Sequence, residues 1–577
     1  MIKLYAKYLK PYWIMVIGIV LFVFIQSMAD LYLPTLTASI INDGVAKQNI
    51  DFVWSEGIKM LGVTFISMTA LIIASYLSSR VAAGFGRDVR GKLFRHVEQF
   101  SLHEFDELST ASLITRNTND VMQIQNVTVM IFRMVLGAPI MAVGGIIMAM
   151  RTSIDLSWIF LASIPLLLIL ILVVGGSAVP LFKTMQKKLD HLNLVLRERL
   201  IGIRVIRAYD KEAFEEERFN DANKDLTKTA IKVNRLMAIM MPVMMIILNF
   251  TSIAIMWFGA HNVADGGMAP GDIFAFIQYA MQIMMAFVMM SVIFIMMPRA
   301  SASASRINEV FSVEPEIGDT SHVVQTPADV KGMVEFRNVT FHYPGAEEPA
   351  LSNISFTSKA GETTAIIGGT GAGKSTLVNL IPRFYDISDG EILIDGVNIT
   401  DLAQEDLRSK IGYVPQKSVL FAGTIAHNIR YGKEDASMDE IRHATDIAQA
   451  TDFIERKDEK YDFMIAQGGT NVSGGQKQRL AIARALVRKP EVYIFDDSFS
   501  ALDFKTDAKL REALAPETKD STVILVGQRV SSVMHANRII VLDDGKIADM
   551  GTHEELLLNS AVYKEIVLSQ LSEEELA

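Results

Sequence analysis

The chain has 577 residues, more than one domain usually holds, and a formal net charge of −10, which argues against nucleic acid as its main partner. It contains no cysteine, so disulfides and thiolate metal sites are excluded. Mean hydropathy is +0.28, and the apolar residues crowd into the first 300 positions.

Six stretches are free of charged side chains: Pro11–Ala29, Met60–Ser79, Met134–Met150, Leu156–Phe182, Leu236–Ala260 and Ile273–Pro298. A helix needs about 20 apolar residues to cross the hydrocarbon core, so each reads as a membrane span. The third has 17 residues and reaches that length only by extending back past Arg133 to Val127. No small-residue cleavage site follows the first run, which reads as a retained anchor. Lys and Arg set the orientation. The N-terminal stub and the regions 80–133 and 183–235 carry 23 of them, whereas the opposite side has only Lys47, Lys59 and Arg151. The N-terminus, both long loops and the C-terminal half are therefore expected in the cytoplasm.

Both long loops are charged and largely free of breakers, so they read as helices continuing out of the membrane. Ser101–Val121 and Arg207–Phe219 lie near their midpoints, far from the bilayer, where a docking role is expected. Ser109 and Thr110 are candidate caps for a helix start. Residues 1–312 thus form a predicted transmembrane domain. Residues 313–333, with two prolines and no helical period, read as a linker. From 334 to 577 strands and helices alternate around glycine-rich turns, as in an α/β nucleotide-binding domain.

Gly368–Ser375 reads GGTGAGKS between an apolar strand and a helix, which fits G-x-x-x-x-G-K-[ST] in its required context. The loop Gly369, Thr370, Gly371, Ala372 and Gly373 can close backbone N–H groups around phosphate, and the helix that carries Lys374, Ser375 and Thr376 adds its positive dipole end. Lys374 should reach the β- and γ-phosphates of ATP, and Ser375 should ligate Mg²⁺. The strand VYIFD ends in Asp496, a second expected Mg²⁺ partner.

These motifs, with NVSGGQKQRLAIARAL before VYIFD and SALD after it, resemble those of ATP-binding cassette (ABC) exporters. The resemblance covers essentially the whole chain. It implies that Tyr343 in FHYP stacks on adenine and that Gln416 in GYVPQ ligates Mg²⁺ or water and couples to the membrane domain. It also implies that two half-transporters pair around two ATP molecules. Ser473, Gly474, Gly475 and Gln476, with Asp503 of the D-loop, would then act on the partner's nucleotide.

Three positions depart from that pattern. Asp497 stands where the family carries the glutamate that activates water, roughly 1.5 Å too short for that task. Gln528 in VGQRVSSV replaces the switch histidine; an amide can bond a γ-phosphate but cannot relay a proton. Gln467 in AQGG replaces a frequent glutamate, which bears on domain coupling. The chain thus resembles the degenerate-site subunit of a heterodimeric bacterial multidrug exporter in the plasma membrane, an ATP hydrolase whose own site is slow. Harmless variation in a working enzyme is the alternative for these departures.

Methionines crowd the fifth span at Met237–Met245 and the sixth at Met281, Met284, Met285, Met289 and Met290. Such flexible side chains can repack around a small amphipathic substrate, although packing or lipid contact is the commoner role of methionine in membrane helices. Asp30 and Arg133, near membrane ends, read as charges that snorkel or pair. Lipid flipping, peptide export and a nucleotide-gated regulatory role remain as alternatives to drug efflux.

Overall fold

A computed structural model describes residues 1–319, 324 and 331–570. Residues 320–323 and 325–330, within the expected linker, lie outside the described residues, as do 571–577. Internal contacts divide the chain into two units: Met1–Glu98 with Thr110–Val313, and Gln99–Ser109 with Glu314–Ala577. A short segment of the first long loop thus belongs with the C-terminal domain.

Among the described residues of the first unit, six helices are long and apolar enough to cross a membrane. They are Lys10–Val45, Ile50–Val97, Thr110–Thr152, Ile154–Ile201, Glu212–Ala264 and Pro270–Met290. Each of the six charge-free stretches falls on one of them, and the sixth helix continues to Ser312. The third span passes Arg133 through a π-helical turn at Ile131–Val135, which supplies the length that its 17-residue apolar core lacks. The second and fourth helices have 48 residues each. At about 1.5 Å per residue that is roughly 70 Å, more than twice a hydrocarbon core of about 30 Å, so both continue well beyond the membrane.

Two kinds of contact hold this bundle. Toward the N-terminal ends of the fourth and sixth helices, Phe160 stacks on Phe276 with ring centroids 5.1 Å apart, and the Tyr279 hydroxyl meets Thr35 Oγ1 at 2.8 Å. On the helical extensions, buried Asp120 accepts from Ser303 Oγ at 2.9 Å and from Arg306 Nε at 2.7 Å, tying the third helix to the sixth. The outer face remains apolar: Leu61, Phe65 and Leu161 are 72%, 72% and 79% exposed, as lipid contact requires and water would penalise.

In the second unit the strands are β1 (Val334–Phe341), β2 (Leu351–Ser358), β3 (Thr363–Gly368), β4 (Asp389–Ile394), β5 (Val397–Asn398), β6 (Ile411–Val414), β7 (Gly423–Thr424), β8 (Met464–Ile465), β9 (Val492–Asp496), β10 (Thr522–Val526), β11 (Arg538–Asp543) and β12 (Lys546–Gly551). One sheet has the order β12-β11-β3-β10-β9-β6, with only the β11–β12 pair antiparallel. β9 and β10 are buried along their whole length, so both read as continuous apolar runs. A second sheet, β2-β1-β4-β5, is antiparallel. Parallel strands deliver their C-terminal ends to one edge, where loops gather a ligand site. β3, β9 and β10 place Gly368, Asp496 and Val526 there.

The helix Leu102–Leu108 completes this unit. Ser101 caps it through a full capping box with Glu104, and Ser109 ends it with φ +55°; the next helix, Thr110–Thr115, begins where Ser109 and Thr110 were expected to mark a helix start. Glu104 is buried, and its other oxygen accepts from the Glu316 backbone N–H at 2.8 Å. Hydrogen bonds from Ser101 and from backbone N–H groups outweigh burial and hold the Glu104 carboxyl below its ordinary value. Burial, with Asp106 of the same helix close by, pushes the Tyr385 phenol up to about 12.

Candidate nucleotide site

The loop after β3 has the strained conformation that the motif predicts. Gly371 and Gly373 have φ of +88° and +92°, and a Cβ on Gly373 would lie 2.8 Å from Leu351 Cδ2. Gly369, Thr370 and Gly371 are exposed and Ala372 is buried. Lys374 begins the helix Lys374–Leu380, and its Nζ donates to the carbonyls of Gly368 and Gly369 at 2.9 and 2.6 Å. Burial lowers the Lys374 pKa, opposed by the carboxylates of Asp497 and Asp496. The Tyr343 ring stands beside the same helix, with its hydroxyl 2.9 Å from Thr376 Oγ1. It packs edge-on against Phe341 and Tyr385 and remains 38% exposed, leaving part of its surface open to a base.

Ser375 Oγ donates to Asp496 Oδ1 at 3.0 Å, joining the phosphate loop to the end of β9. Burial raises the Asp496 pKa, while the Ser375 bond opposes it. A hydroxyl and a carboxylate this close form the hard oxygen pair that suits Mg²⁺.

Asp497 follows at φ +48°, in the left-handed region, with its backbone N–H donating to Val526 O at 3.1 Å. Its Oδ2 accepts two amides: Gln416 Nε2 at 3.2 Å and Gln528 Nε2 at 2.8 Å. Gln416 and Gln528, both picked from the sequence, therefore converge on one oxygen of Asp497. Burial raises the Asp497 pKa, opposed first by its bonds from Gln416 and Ser500.

Gln570 was not visible in the sequence. Its Nε2 donates to the Gln528 carbonyl at 2.8 Å and its Oε1 accepts from the Val530 N–H at 2.8 Å. One side chain thus clasps both sides of the loop that carries Gln528. No motif marks such a residue, because the bond is to backbone.

Ser473 caps the helix Gly474–Leu486 with a capping box: its N–H donates to Gln476 Oε1 at 3.0 Å and its Oγ accepts from Gln476 N at 3.3 Å. Ser473 and Gly474 are exposed and Gly475 is partly buried. Asp503 caps the helix Phe504–Glu517 through Thr506. Gln467 opens a short 3-10 turn and is exposed.

Residues 15–287 match the ABC transporter transmembrane region, and residues 351–500 match the ABC transporter family. An uncharacterized ABC transporter ATP-binding protein of Mycobacterium tuberculosis is 42% identical over 99% of this chain and 98% of its own length. The chain is an ABC transporter. The similar Bacillus subtilis protein YfiB is 41% identical over 98% of both chains. An ATP-dependent lipid A-core flippase of Haemophilus influenzae is 32% identical over 95% of this chain and 93% of its own. Among solved structures, a bacterial Atm1-family ABC exporter with ATP bound superposes with a TM-score of 0.81 at 25% identity, covering 97% of this chain and 98% of that one. With one membrane unit and one ATP-binding unit, this ABC transporter is a half-transporter of the exporter type. Such halves work as dimers in the lipid membrane and couple ATP hydrolysis to transport. It is a multi-pass plasma-membrane protein with a cytoplasmic nucleotide-binding domain.

The transporter's membrane unit holds a cavity of about 680 Å³ between the first, second, third and sixth spans. Met281, Met285 and Met289 of the sixth span line it. Met130, Met134 and Met141 of the third span line it too, and the sequence did not single these out. The fifth-span run is elsewhere: Met244 is buried against Leu167 and Ile247, and Met241 and Met245 are exposed. Asp30 and Arg133 both lie on the cavity wall.

Proposed function

We propose that this ABC transporter is one half of an ATP-driven exporter of amphipathic compounds, working by alternating access. In this reading its own nucleotide site binds Mg-ATP and turns it over slowly. Its Ser473, Gly474, Gly475 and Gln476, together with Asp503, complete a faster site on a different partner chain.

One observation carries the reading: Asp497 Oδ2 is held by two neutral amides, Gln416 and Gln528. A base one carbon short, bonded to groups that cannot pass on a proton, is poorly placed to activate water. Ser375 and Asp496 would hold Mg²⁺, with the Gln416 carbonyl as a further oxygen ligand. The ion would neutralise charge on the β- and γ-phosphates. Lys374 would bind those phosphates and Tyr343 would stack on adenine.

A partner chain is supported by the turn between the fourth and fifth helices. Leu200, Ile201, Val205, Tyr209 and Phe214 there are each more than half exposed. Apolar surface of that extent outside a membrane belongs against another protein. A heterodimer is favoured because Ser473 and Asp503 keep the family pattern while Asp497 and Gln528 do not.

The flippase relative favours a second reading, the flipping of a lipid. Inside-out vesicles containing the chain and its partner separate the possibilities. Uphill dye accumulation that requires hydrolysis supports the exporter. Lipid movement without dye transport supports the flippase, and flux down a gradient with a non-hydrolysable ATP analogue would show a gate.

A further inference from the structure

The cavity in the membrane unit sets one acid and one base on the same wall without pairing them. Asp30, on the first span, accepts the Ser67 hydroxyl at 2.5 Å, and its backbone carbonyl accepts Gln282 Nε2 at 3.0 Å. Gln282 Oε1 is buried with no hydrogen-bond partner among the described residues. Arg133 reaches the cavity from the π-helical turn of the third span, and among the described residues no ion pair joins it to Asp30. Charges inside a membrane are costly unless neutralised, and an unbonded buried amide oxygen adds to that cost. Asp30 with Gln282 supplies acceptors for a cation at one point, and Arg133 supplies donors for an anion at another. The remaining wall is largely apolar, with Met130, Met134, Met141, Met281, Met285 and Met289.

We propose that this cavity binds a zwitterionic amphiphile. Its positive group sits on Asp30 and Gln282, its negative group on Arg133, and its apolar body lies on the methionines. A volume of about 680 Å³ suits a drug-sized molecule or a lipid headgroup with part of its chains. The inference rests on the exporter reading and narrows its substrate class. A singly charged ligand would leave one of the two wall charges uncompensated.

The test uses the full chain in nanodiscs and three photoactivatable probes that share one alkyl body. Their heads are a sulfobetaine, a trimethylammonium and a sulfonate. Labelled peptides covering residues 129–141 and 281–289 are quantified by mass spectrometry. The sulfobetaine is expected to label them about tenfold more than either singly charged probe, as one charge-assisted bond implies. Asp30→Asn should cut sulfobetaine and trimethylammonium labelling and spare the sulfonate; Arg133→Gln should cut sulfobetaine and sulfonate labelling. Equal labelling by all three heads on the unmodified chain overturns the proposal, whatever the variants do. Suppression in phosphatidylethanolamine discs but not in phosphatidylglycerol discs identifies the occupant as a lipid; equal labelling in both identifies a soluble compound. Head-group preference without transport would remove the exporter reading and keep the site. Transport without head-group preference would remove this inference alone.

Discussion

Gln528 Nε2 donates to Asp497 Oδ2 at 2.8 Å, so the two positions read from the sequence as departing from the catalytic pattern of ABC exporters are bonded to each other. They act as one unit: the amide of Gln528 engages the shortened carboxylate. Replacing both, with Asp497→Glu and Gln528→His, should raise ATP turnover at this site by up to about 100-fold, since a reacting group misplaced by about 1 Å costs on that order. Either substitution alone should give much less. Steady-state phosphate release from the assembled transporter checks this.

Lys374 and Tyr343 hold opposite ends of the nucleotide in the proposed site. Lys374→Ala should weaken ATP binding by about 10- to 100-fold, the worth of charge-assisted bonds to phosphate. Tyr343→Ala should weaken it by about tenfold through lost stacking, and Tyr343→Trp should restore it. Titration with a fluorescent ATP analogue reads both. An affinity unchanged by Tyr343→Ala would remove this residue from the site.

Gln570 is expected to position the Gln528 loop without touching nucleotide. Gln570→Ala removes two bonds to the backbone of Gln528 and Val530. Hydrogen exchange should then quicken across residues 527–533 while ATP affinity remains unchanged. Gln570→Glu, which keeps the acceptor for Val530 but loses the donor for Gln528, should fall between.

Glu104 fastens the helix Leu102–Leu108 to the Glu316 backbone in the nucleotide-binding unit. Its folded pKa is lowered from 4.5, so its contribution is fully present above that value. It is lost as pH falls through the lower folded value. Glu104→Gln should loosen the helix at pH 7, seen as faster hydrogen exchange over residues 101–108. The difference from the unmodified chain should vanish once pH has fallen through the lowered folded pKa of Glu104. A difference that persists in acid would show that the carboxylate charge is not what holds the helix.

Much of this was legible because it rests on spacing. Six apolar runs of span length gave the membrane unit, and GGTGAGKS between a strand and a helix gave the phosphate loop. Ser101-x-x-Glu104 is also a local signature, and it marks the cap of Leu102–Leu108, while the helix start expected at Ser109 and Thr110 is that of Thr110–Thr115. The Gln570 clasp and the third-span methionines were not legible. One is a side-chain bond to backbone 40 residues earlier in the chain, and the other depends on which face of a helix with two π-helical turns looks inward. Each π turn shifts the helical register, so periodicity alone mistakes that face.

The central claim is that this chain's own site holds ATP and hydrolyses it slowly. The most direct test is steady-state ATP turnover by the purified chain without its partner, beside Asp497→Asn. The account predicts ATP retained largely uncleaved, with turnover far below that of the assembled pair and little changed by the substitution. Turnover by the chain alone at the rate of the assembled pair, abolished by Asp497→Asn, would contradict it.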